Sequence, residues 1–282
     1  MSLYDLKSRN YLITGGAGLL GYQHARGILQ NNGNPILLDI SDSMLSKTKK
    51  KLEDEYSSEV RTYLCDITIE NNVQNLYEYF LTNNFQIHGL INNAAINPKV
   101  NSTIKSDELT RLESFPLNQW NDELDVGLTG SFLCSKYFCS LMLKTNSQGV
   151  VLNISSDLGI IAPNQSLYEI NGLKKNEQPV KPITYSVIKS GIIGLSKYLS
   201  TYFNGEIRSN VICPGGVENN QNKDFIEKVE KLIPYGRMAK KDEFIGTVVF
   251  LLSDASAYIN GAVIPVDGGR TAWWIINNFL LY

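Results

Sequence analysis

Short apolar runs alternate along the chain with longer amphipathic stretches. Runs rich in leucine, isoleucine and valine predict strands at residues 11–13, 35–38, 61–64, 89–91, 149–154, 209–213 and 262–266. Segments with helical spacing of apolar positions lie between them, at 22–31, 73–83, 124–145, 185–203 and 241–253. This alternation favours right-handed βαβ crossovers. We therefore predict an α/β fold: a Rossmann-type, doubly wound parallel sheet with helices on both faces.

The domain organisation follows from the same pattern. No internal repeat and no linker rich in glycine, proline or serine divides the 282 residues, so we predict a single domain over 1–282. One polar stretch, 164–181, breaks the alternation and is interpreted as an inserted loop. The last residues, 270–282, are too aromatic for a solvated tail. We expect them to pack against a partner subunit or over the chain's own substrate cleft.

Composition narrows the functional class. The net charge of −2 gives no sign of a nucleic-acid or membrane-surface partner. The four cysteines show no CxxC spacing and are interpreted as reduced core thiols, and two histidines are too few for a zinc site, so no metal is expected. The chain shows neither a signal-peptide pattern nor a run of about 18 apolar residues. These features predict a cytoplasmic protein.

A glycine-rich turn provides the first candidate chemistry. Gly16, Gly18 and Gly21 form G-x-G-x-x-G between a predicted strand and a predicted helix, where backbone can approach a pyrophosphate at the helix N-terminus. Asp39 ends the next strand, where a carboxylate accepts both ribose hydroxyls and repels a 2′-phosphate. With no basic residue close by in sequence, NAD(H) is favoured over NADP(H). The alternative is an ordinary glycine turn followed by a helix-capping aspartate.

A second group of residues suggests proton transfer. Tyr185 and Lys189 are four residues apart in a predicted helix and share one face. An ammonium nearby favours the phenolate and lowers the tyrosine pKa toward neutrality. Ser156 follows an apolar strand, which delivers it to the carboxyl edge of a doubly wound sheet. Each signal has an ordinary alternative: a helix surface for the pair, and a turn or cap residue for the serine.

Together these motifs resemble short-chain dehydrogenases/reductases. The resemblance runs from about Leu6 to Gly269. The motifs follow in the expected order: Thr14-Gly15, Asp66, Asn92-Asn93-Ala94-Ala95, Ser156, Tyr185 with Lys189, Pro214-Gly215 and Val266-Asp267-Gly268-Gly269. The resemblance implies a Rossmann-type fold, hydride transfer between a nicotinamide and a carbonyl or alcohol carbon, and a homodimer or homotetramer.

The resemblance also implies residue roles. Tyr185 would be the general acid/base, Lys189 would lower its pKa and bind the nicotinamide ribose, and Ser156 would orient the substrate oxygen. Asn92 would line the cofactor channel. The remaining implied cofactor contacts are Gly15, Gly16, Gly18, Leu19, Leu20, Gly21, Asp39, Ile40, Asp66, Ile67, Asn93, Ala94, Ala95, Pro214, Gly215 and Val217.

Three departures from the family pattern stand out. Leu19 gives the turn the T-G-x-x-G-x-x-G spacing of the family's extended branch, although the length and later motifs match the shorter, alcohol-dehydrogenase-like branch. Gly127 stands where the shorter branch has an asparagine that supports a proton-relay water. The 164–181 stretch lengthens the segment between Ser156 and Tyr185. Beside the catalytic pair it could form a substrate lid, in which Lys174 and Lys175 would meet an anionic substrate, or simply a solvated loop.

Three functional hypotheses follow. The first is an NAD(H)-dependent oxidoreductase acting on a secondary alcohol or ketone, with a sugar or sugar-derived acid in surface-glycan or flagellin modification as a candidate substrate. The second is a nucleotide-sugar epimerase or dehydratase with tightly bound NAD, against which the lack of a second domain argues. The third is a non-catalytic NAD-binding scaffold, suggested only by Gly127.

Overall fold

Seven parallel strands form one sheet. The structure, a computed structural model, describes residues 2–96 and 110–273. The strands are Asn10–Thr14 (β1), Asn34–Asp39 (β2), Arg61–Leu64 (β3), Gly89–Asn92 (β4), Gly149–Ile154 (β5), Ile207–Pro214 (β6) and Val263–Val266 (β7). Their order is β3-β2-β1-β4-β5-β6-β7, and every neighbouring pair is parallel. The predicted doubly wound sheet is confirmed.

Helices connect the strands. They are Leu19–Gln30 (α1), Asp42–Tyr56 (α2), Glu70–Thr82 (α3), Leu117–Leu124 (α4), Gly130–Lys144 (α5), Ile183–Tyr202 (α6), Lys223–Glu230 (α7) and Ile245–Leu252 (α8). A π-helical turn, Asp125–Thr129, joins α4 to α5. The sequence pattern did not indicate α2 or α7, because each presents only a narrow apolar stripe: α2 buries Leu45, Thr48 and Leu52, and α7 buries Val229.

The core lies on both faces of the sheet. Leu12, Leu38 and Val151 point to one face, where they pack with Phe80 of α3 and Phe138 of α5. Because side chains alternate along a strand, the intervening residues point to the opposite face. There Ile13, Leu37 and Leu152 pack with Ile28 of α1 and Leu251 of α8. The single domain therefore has helices on both faces, as predicted.

One continuous helical rod, Leu117–Lys144, corrects an expectation from the sequence. By length and composition it is long and apolar enough to cross a membrane, whereas no such run was expected. Residues Phe138, Leu141 and Met142 are completely buried against the rest of the fold. Within the described residues it is therefore the core helix of this domain, which accounts for its apolar composition.

The strand order fixes where a ligand binds. β1 pairs with β2 on one side and with β4 on the other, so the chain reverses direction across the sheet at this point. In open α/β sheets the crevice outside the carboxyl ends of the strands, at such a switch point, is the binding site. Most predicted cofactor residues lie at or just after the ends of β1, β2, β3, β4 and β6. Ser156 follows β5, and Tyr185 and Lys189 lie in α6.

Candidate active site

A cavity of about 760 Å³ follows the carboxyl edge of the sheet. It extends from Asp39 and Asp66, past Asn93 and Ala94, to Tyr185. The predicted cofactor and catalytic residues line it, with the exception of Gly16, Gly21 and Asn92. The cavity therefore brings most of the predicted site residues together, and their roles stay predictions.

The turn after β1 is shaped to accept a pyrophosphate. Gly15 has a φ of +60°, and a Cβ there would lie 2.9 Å from the Cα of Ala94, so only glycine fits. Gly18 caps the N-terminus of α1 and faces the cavity with backbone alone. Helix N-termini stabilise anions through their unpaired amides and dipole. The turn thus fits a dinucleotide phosphate group.

Gly16 and Gly21 do not line the cavity and are closely packed against neighbouring atoms. A Cβ on Gly16 would lie 2.8 Å from the Cβ of Leu37 in β2. On Gly21 it would lie 2.3 Å from the carbonyl oxygen of Gly15. Both glycines sit behind the turn, where they allow α1 to approach the sheet. Sequence spacing alone does not distinguish such packing glycines from those that face the ligand.

Two carboxylates mark one end of the cavity. Asp39 accepts hydrogen bonds from the backbone amides of Ala17 and Ser41, both at 3.2 Å. Asp66 accepts from the amide and hydroxyl of Thr68, at 2.9 and 2.7 Å. No arginine or lysine side chain lines this end among the described residues. The arrangement offers acceptors for ribose hydroxyls and nothing to neutralise a 2′-phosphate.

Asn92 does not line the cavity, contrary to expectation. Its side-chain amide is buried and donates to Asn153 of β5 at 2.8 Å and to Ser135 of α5 at 3.1 Å. The neighbouring Asn93 donates to the carbonyl oxygens of Thr14 and Gly15 instead. Asn92 therefore ties the central strands to α5, while Asn93 stabilises the phosphate-side turn at the cavity wall.

The predicted catalytic residues meet at the other end of the cavity. Lys189 is buried, donates to the carbonyl oxygen of Ile154 at 3.0 Å and lies 5.8 Å from the ring centre of Tyr185. Burial lowers the pKa of Lys189 to about 8. The Ser156 hydroxyl donates to Asp157 at 2.8 Å and accepts from the amide of Leu158. These contacts fix both side chains beside the tyrosine.

The pKa of Tyr185 differs from the expectation. Burial raises it, and the charge of Asp157 raises it further, whereas a hydrogen bond with Ser156 and the charge of Arg270 lower it. The buried ammonium of Lys189 donates to the carbonyl oxygen of Ile154. The protein alone therefore keeps Tyr185 in its protonated form at neutral pH.

The sequence analysis missed three charged residues at this end of the cavity. Asp157 and Arg270 form an ion pair at 2.9 Å, with both side chains buried. The ammonium of Lys181 lies 3.9 Å from the ring centre of Tyr185, and burial lowers its pKa to about 8. All three line the cavity. Arg270 stands 113 positions after Asp157, so no local pattern connects the pair.

The inserted stretch 164–181 borders the substrate side of the cavity in part. Leu167 and Tyr168 line the cavity and pack on α7, where the rings of Tyr168 and Phe225 are 5.8 Å apart. Lys174 and Lys175 are exposed and do not line it. The expected contact of those two lysines with a substrate is therefore not supported. Lys181, at the end of the same stretch, is the lysine that lines the cavity.

Gly127 is explained by packing. It lies in the π-helical turn Asp125–Thr129, and a Cβ there would be 2.4 Å from Cγ2 of Ile188 in α6. Ile188 stands directly before Lys189, so the contact sets the distance between α6 and the α4–α5 rod. An asparagine side chain has no room here, and a relay group has to come from elsewhere.

The start of the C-terminal tail packs on its own chain. Arg270 is buried at the cavity, and the indole N–H of Trp273 donates to the carbonyl oxygen of Leu232 at 3.3 Å. This favours, for 270–273, the expected alternative of a tail over its own substrate cleft. Residues 274–282 lie outside the described residues, and homo-oligomer formation stays a prediction.

The cysteines fit the predicted core role. All four are free and buried, and burial raises the pKa of Cys65 and Cys213 to about 11 and that of Cys139 to about 12. Thiols with such values carry almost no thiolate at neutral pH. No group of three or more histidine, cysteine, aspartate or glutamate side chains suited to a metal occurs in the described part of the chain.

Comparisons with known proteins find relatives over most of the chain. A family described as "Enoyl-(Acyl carrier protein) reductase" matches residues 16–271. The "Post-translational flagellin modification protein A" of Campylobacter coli is 31% identical over 94% of this chain and 98% of its own. The "NADP-dependent mannitol dehydrogenase" of Alternaria alternata is 26% identical over 95% and 94%.

A solved structure agrees with the fold. The short chain dehydrogenase of Leptospira borgpetersenii with bound NAD+ superposes with a TM-score of 0.81, at 28% identity over 95% of both chains. Fold and site together define an oxidoreductase of the nicotinamide-dinucleotide type. The chain belongs to the short-chain dehydrogenase/reductase family.

Proposed function

We propose that this protein is an NAD(H)-dependent oxidoreductase that interconverts a secondary alcohol and a ketone. The observation that carries the proposal is the convergence of Ser156, Tyr185 and Lys189 at one end of a cavity that has Asp39 at its other end. Acid/base groups and a ribose-binding carboxylate in one continuous cavity match what hydride transfer requires.

The described residues fit the cofactor. Asp39 and Asp66 would hold the adenosine, and the Gly15–Gly18 turn would hold the pyrophosphate. Lys189 would donate to the nicotinamide ribose, because it lines the cavity and its ammonium is held at the cavity wall by the Ile154 carbonyl. When bound, the nicotinamide supplies or accepts the hydride. The carboxylate of Asp39, with no lysine or arginine beside it in the described parts of the chain, favours NAD over NADP.

Tyr185 is the residue that donates or accepts the proton. In the direction of ketone reduction its hydroxyl donates a proton to the substrate oxygen, and in alcohol oxidation its phenolate accepts one. Ser156 holds that oxygen, because its hydroxyl can rotate from Asp157 toward the cavity.

The proposed substrate is a sugar or a sugar-derived acid, used in flagellin or surface-glycan modification. The support is the Campylobacter relative, whose name assigns it to flagellin modification, together with a relative named as a mannitol dehydrogenase. The polar lining around Tyr185 is compatible with a hydroxylated substrate. The scaffold hypothesis loses its main argument, because packing against Ile188 explains Gly127.

A binding and turnover experiment tests the proposal. The purified protein is titrated with NADH and with NADPH by fluorescence quenching, and a panel of keto-sugars and keto-sugar acids is assayed for NADH oxidation. We expect micromolar binding of NADH, much weaker binding of NADPH and oxidation of NADH by a panel member. NADPH binding as tight as NADH binding would contradict the assignment to NAD. Tight NADH binding without any turnover would favour the scaffold.

A further inference from the structure

A buried ion pair lies next to Ser156, and the proposed mechanism gives it no role. Asp157 follows Ser156 in the chain, and Arg270 comes from the segment after β7. The two charged groups are 2.9 Å apart, and the side chains of Arg270 and Asp157 are 8% and 4% exposed. Because removing two charges from water is costly, a buried ion pair is weak evidence for a stabilising role. Its position beside a predicted catalytic residue suggests another role.

The hydrogen bonds of Asp157 are those of a carboxylate. Its Oδ1 accepts from the Ser156 hydroxyl and from the Leu158 amide, both at 2.8 Å. Its Oδ2 accepts from Arg270 at 2.9 Å. Burial and the charge of Asp267 raise the pKa of Asp157, whereas the charge of Arg270 and the hydrogen bonds from Ser156 and Leu158 lower it. Three donors on two oxygens therefore hold an ionised group that accepts only.

This arrangement determines the direction of the Ser156 hydroxyl. Because a carboxylate has no proton to give, Ser156 is the donor in its contact with Asp157. The Leu158 amide donates to the Ser156 oxygen at 3.2 Å, which leaves that oxygen one further lone pair. Ser156 lines the cavity and is a hydrogen-bond neighbour of Tyr185. Toward the cavity Ser156 therefore presents an acceptor.

Other charged groups line the same cavity. Asp122 lies in α4, and Asp125 lies in the π-helical turn and accepts from the hydroxyl of Thr129 at 3.2 Å. Lys181 also lines the cavity, and the charge of Asp157 acts on it. In the described part of the chain, the carboxylate that accepts the Ser156 proton is that of Asp157. The direction of the hydroxyl therefore follows from this direct contact.

We propose that Asp157, held in place by Arg270, is a positioning residue that makes Ser156 accept a hydrogen bond from the substrate oxygen. An alcohol has a proton for this contact, and a ketone has none. A ketone is held only after the Ser156 hydroxyl rotates away from Asp157, which gives up a charge-assisted hydrogen bond. The site at rest thus recognises the alcohol in preference to the ketone. This inference rests on the proposed function and specifies which form of the substrate is bound better.

Neutron diffraction tests the direction of the hydroxyl. Crystals of the NADH-loaded protein are exchanged into D2O, and the deuteron of Ser156 is located. We expect it between Ser156 Oγ and Asp157 Oδ1, with no deuteron on the Asp157 carboxylate. A deuteron directed into the cavity, or one bound to Asp157, would overturn the inference. Failure of NADH to bind would overturn the proposed function instead, and the same map of the cofactor-free protein would still decide the direction of the hydroxyl.

Binding of two probes tests the consequence for specificity. Cyclohexanol is titrated into the NADH-loaded protein and cyclohexanone into the NAD+-loaded protein, two combinations that cannot react, and binding is followed by ligand-observed NMR. Asp157→Leu/Arg270→Met replaces the buried pair without leaving a lone charge and releases the Ser156 hydroxyl. We expect the ratio of the cyclohexanone to the cyclohexanol dissociation constant to fall at least about fivefold. An unchanged ratio, including equal weakening of both probes, would show a purely structural role and overturn the inference.

Three further variants complete the test. In a Ser156→Ala background the same replacement should change the ratio less than about twofold, because the effect passes through Ser156; a change as large as in the wild type would contradict this. Asp157→Ala/Arg270→Met predicts the same fall in the ratio and serves if the larger leucine destabilises the domain. Glu123→Gln removes a buried carboxylate that does not line the cavity and that bonds Gln119 and Thr184, so it should leave the ratio unchanged.

Discussion

At the scale of the residue, Tyr185 is the group on which turnover depends. Replacement by phenylalanine removes the only proton that the proposed mechanism assigns to the substrate oxygen. Because general acid–base catalysis contributes about 10²–10⁴ in rate, we expect kcat of Tyr185→Phe to fall by about that factor. NADH binding, measured by fluorescence quenching, should stay within about twofold.

A matched tyrosine is available on the same helix. Tyr198 is 62% exposed on α6 and stacks on Tyr202, and it does not line the cavity, so Tyr198→Phe should retain wild-type turnover. Loss of NADH binding in Tyr185→Phe would show that the hydroxyl has a structural role instead. Equal losses in the two variants would point to damage to α6 rather than to lost chemistry.

Cofactor choice is also decided by single residues. Asp39 faces the cavity, and Ile40 beside it is 71% exposed, so an arginine at 40 can reach a 2′-phosphate without repacking. We expect Asp39→Ala with Ile40→Arg to shift the ratio of NADPH to NADH affinity by at least about tenfold, through lost repulsion and a charge-assisted contact. Both dissociation constants are measured by fluorescence quenching.

An arginine outside the cavity controls for the added charge. Ile69 is 48% exposed and does not line the cavity, so Ile69→Arg should leave the ratio of affinities unchanged. An unchanged ratio in the Asp39→Ala/Ile40→Arg protein would mean that the Asp39 carboxylate does not contact the ribose.

At the scale of the element, Gly127 sets the spacing between α6 and the α4–α5 rod. A Cβ there collides with Ile188, and overpacking of this kind costs about 1–3 kcal/mol. Gly194 in α6 has no atom within 4 Å of the corresponding Cβ position. We expect chemical denaturation to show Gly127→Ala destabilised by about 1–2 kcal/mol, and Gly194→Ala stabilised by up to about 1 kcal/mol.

A double-mutant cycle identifies the contact. If the Ile188 side chain causes the cost, Gly127→Ala and Ile188→Ala should be coupled by at least about 1 kcal/mol. Additive effects of the two substitutions would place the strain at another neighbour of Gly127.

The positions of the strands and helices were easier to predict from the sequence than the roles of individual residues. Each strand carries a dense apolar run because both faces of a parallel sheet are buried, and this signal is local. α2 and α7 escaped the pattern because they bury few residues. Asn92, by contrast, was assigned to the cofactor because it follows a strand, yet its side chain bonds Asn153 and Ser135. The direction of one side chain is set by tertiary neighbours.

At the scale of the whole molecule, acid stability depends on a buried histidine. His24 in α1 is completely buried, and burial lowers its pKa to about 4 from 6.5. As pH falls through this window the unfolded state binds the proton first, so the folded state loses stability. At 1.36 kcal/mol per pKa unit, the loss is about 3 kcal/mol between pH 6.5 and pH 4.

Replacement of the imidazole tests this expectation. The free energy of unfolding of His24→Gln, measured by urea denaturation, should decline less over the same pH range than that of the wild type. His88, whose pKa is also lowered by burial, is present in both proteins, so the difference between the two curves reports His24. Parallel curves would mean that His24 is not the group that titrates.

Only the site residues that belong to sequence motifs could be predicted. Ser156, Tyr185 and the glycine turn follow strand ends or helical spacing, and these are local. Lys181 and Arg270 carry no such pattern, and their approach to Tyr185 results from the folding of the inserted loop and of the segment after β7. These two residues line the cavity although no sequence motif includes them.

The Asp157–Arg270 ion pair also has a consequence for the nascent chain during translation. The ribosome has to add 113 further residues after Asp157 before its partner exists, and β7 is then already complete. A nascent chain can form the adenosine half of its cavity early, while the carboxylate next to Ser156 still lacks its counter-ion. Prematurely terminated products that end before residue 270 would lack this counter-ion and would leave the buried carboxylate of Asp157 unpaired.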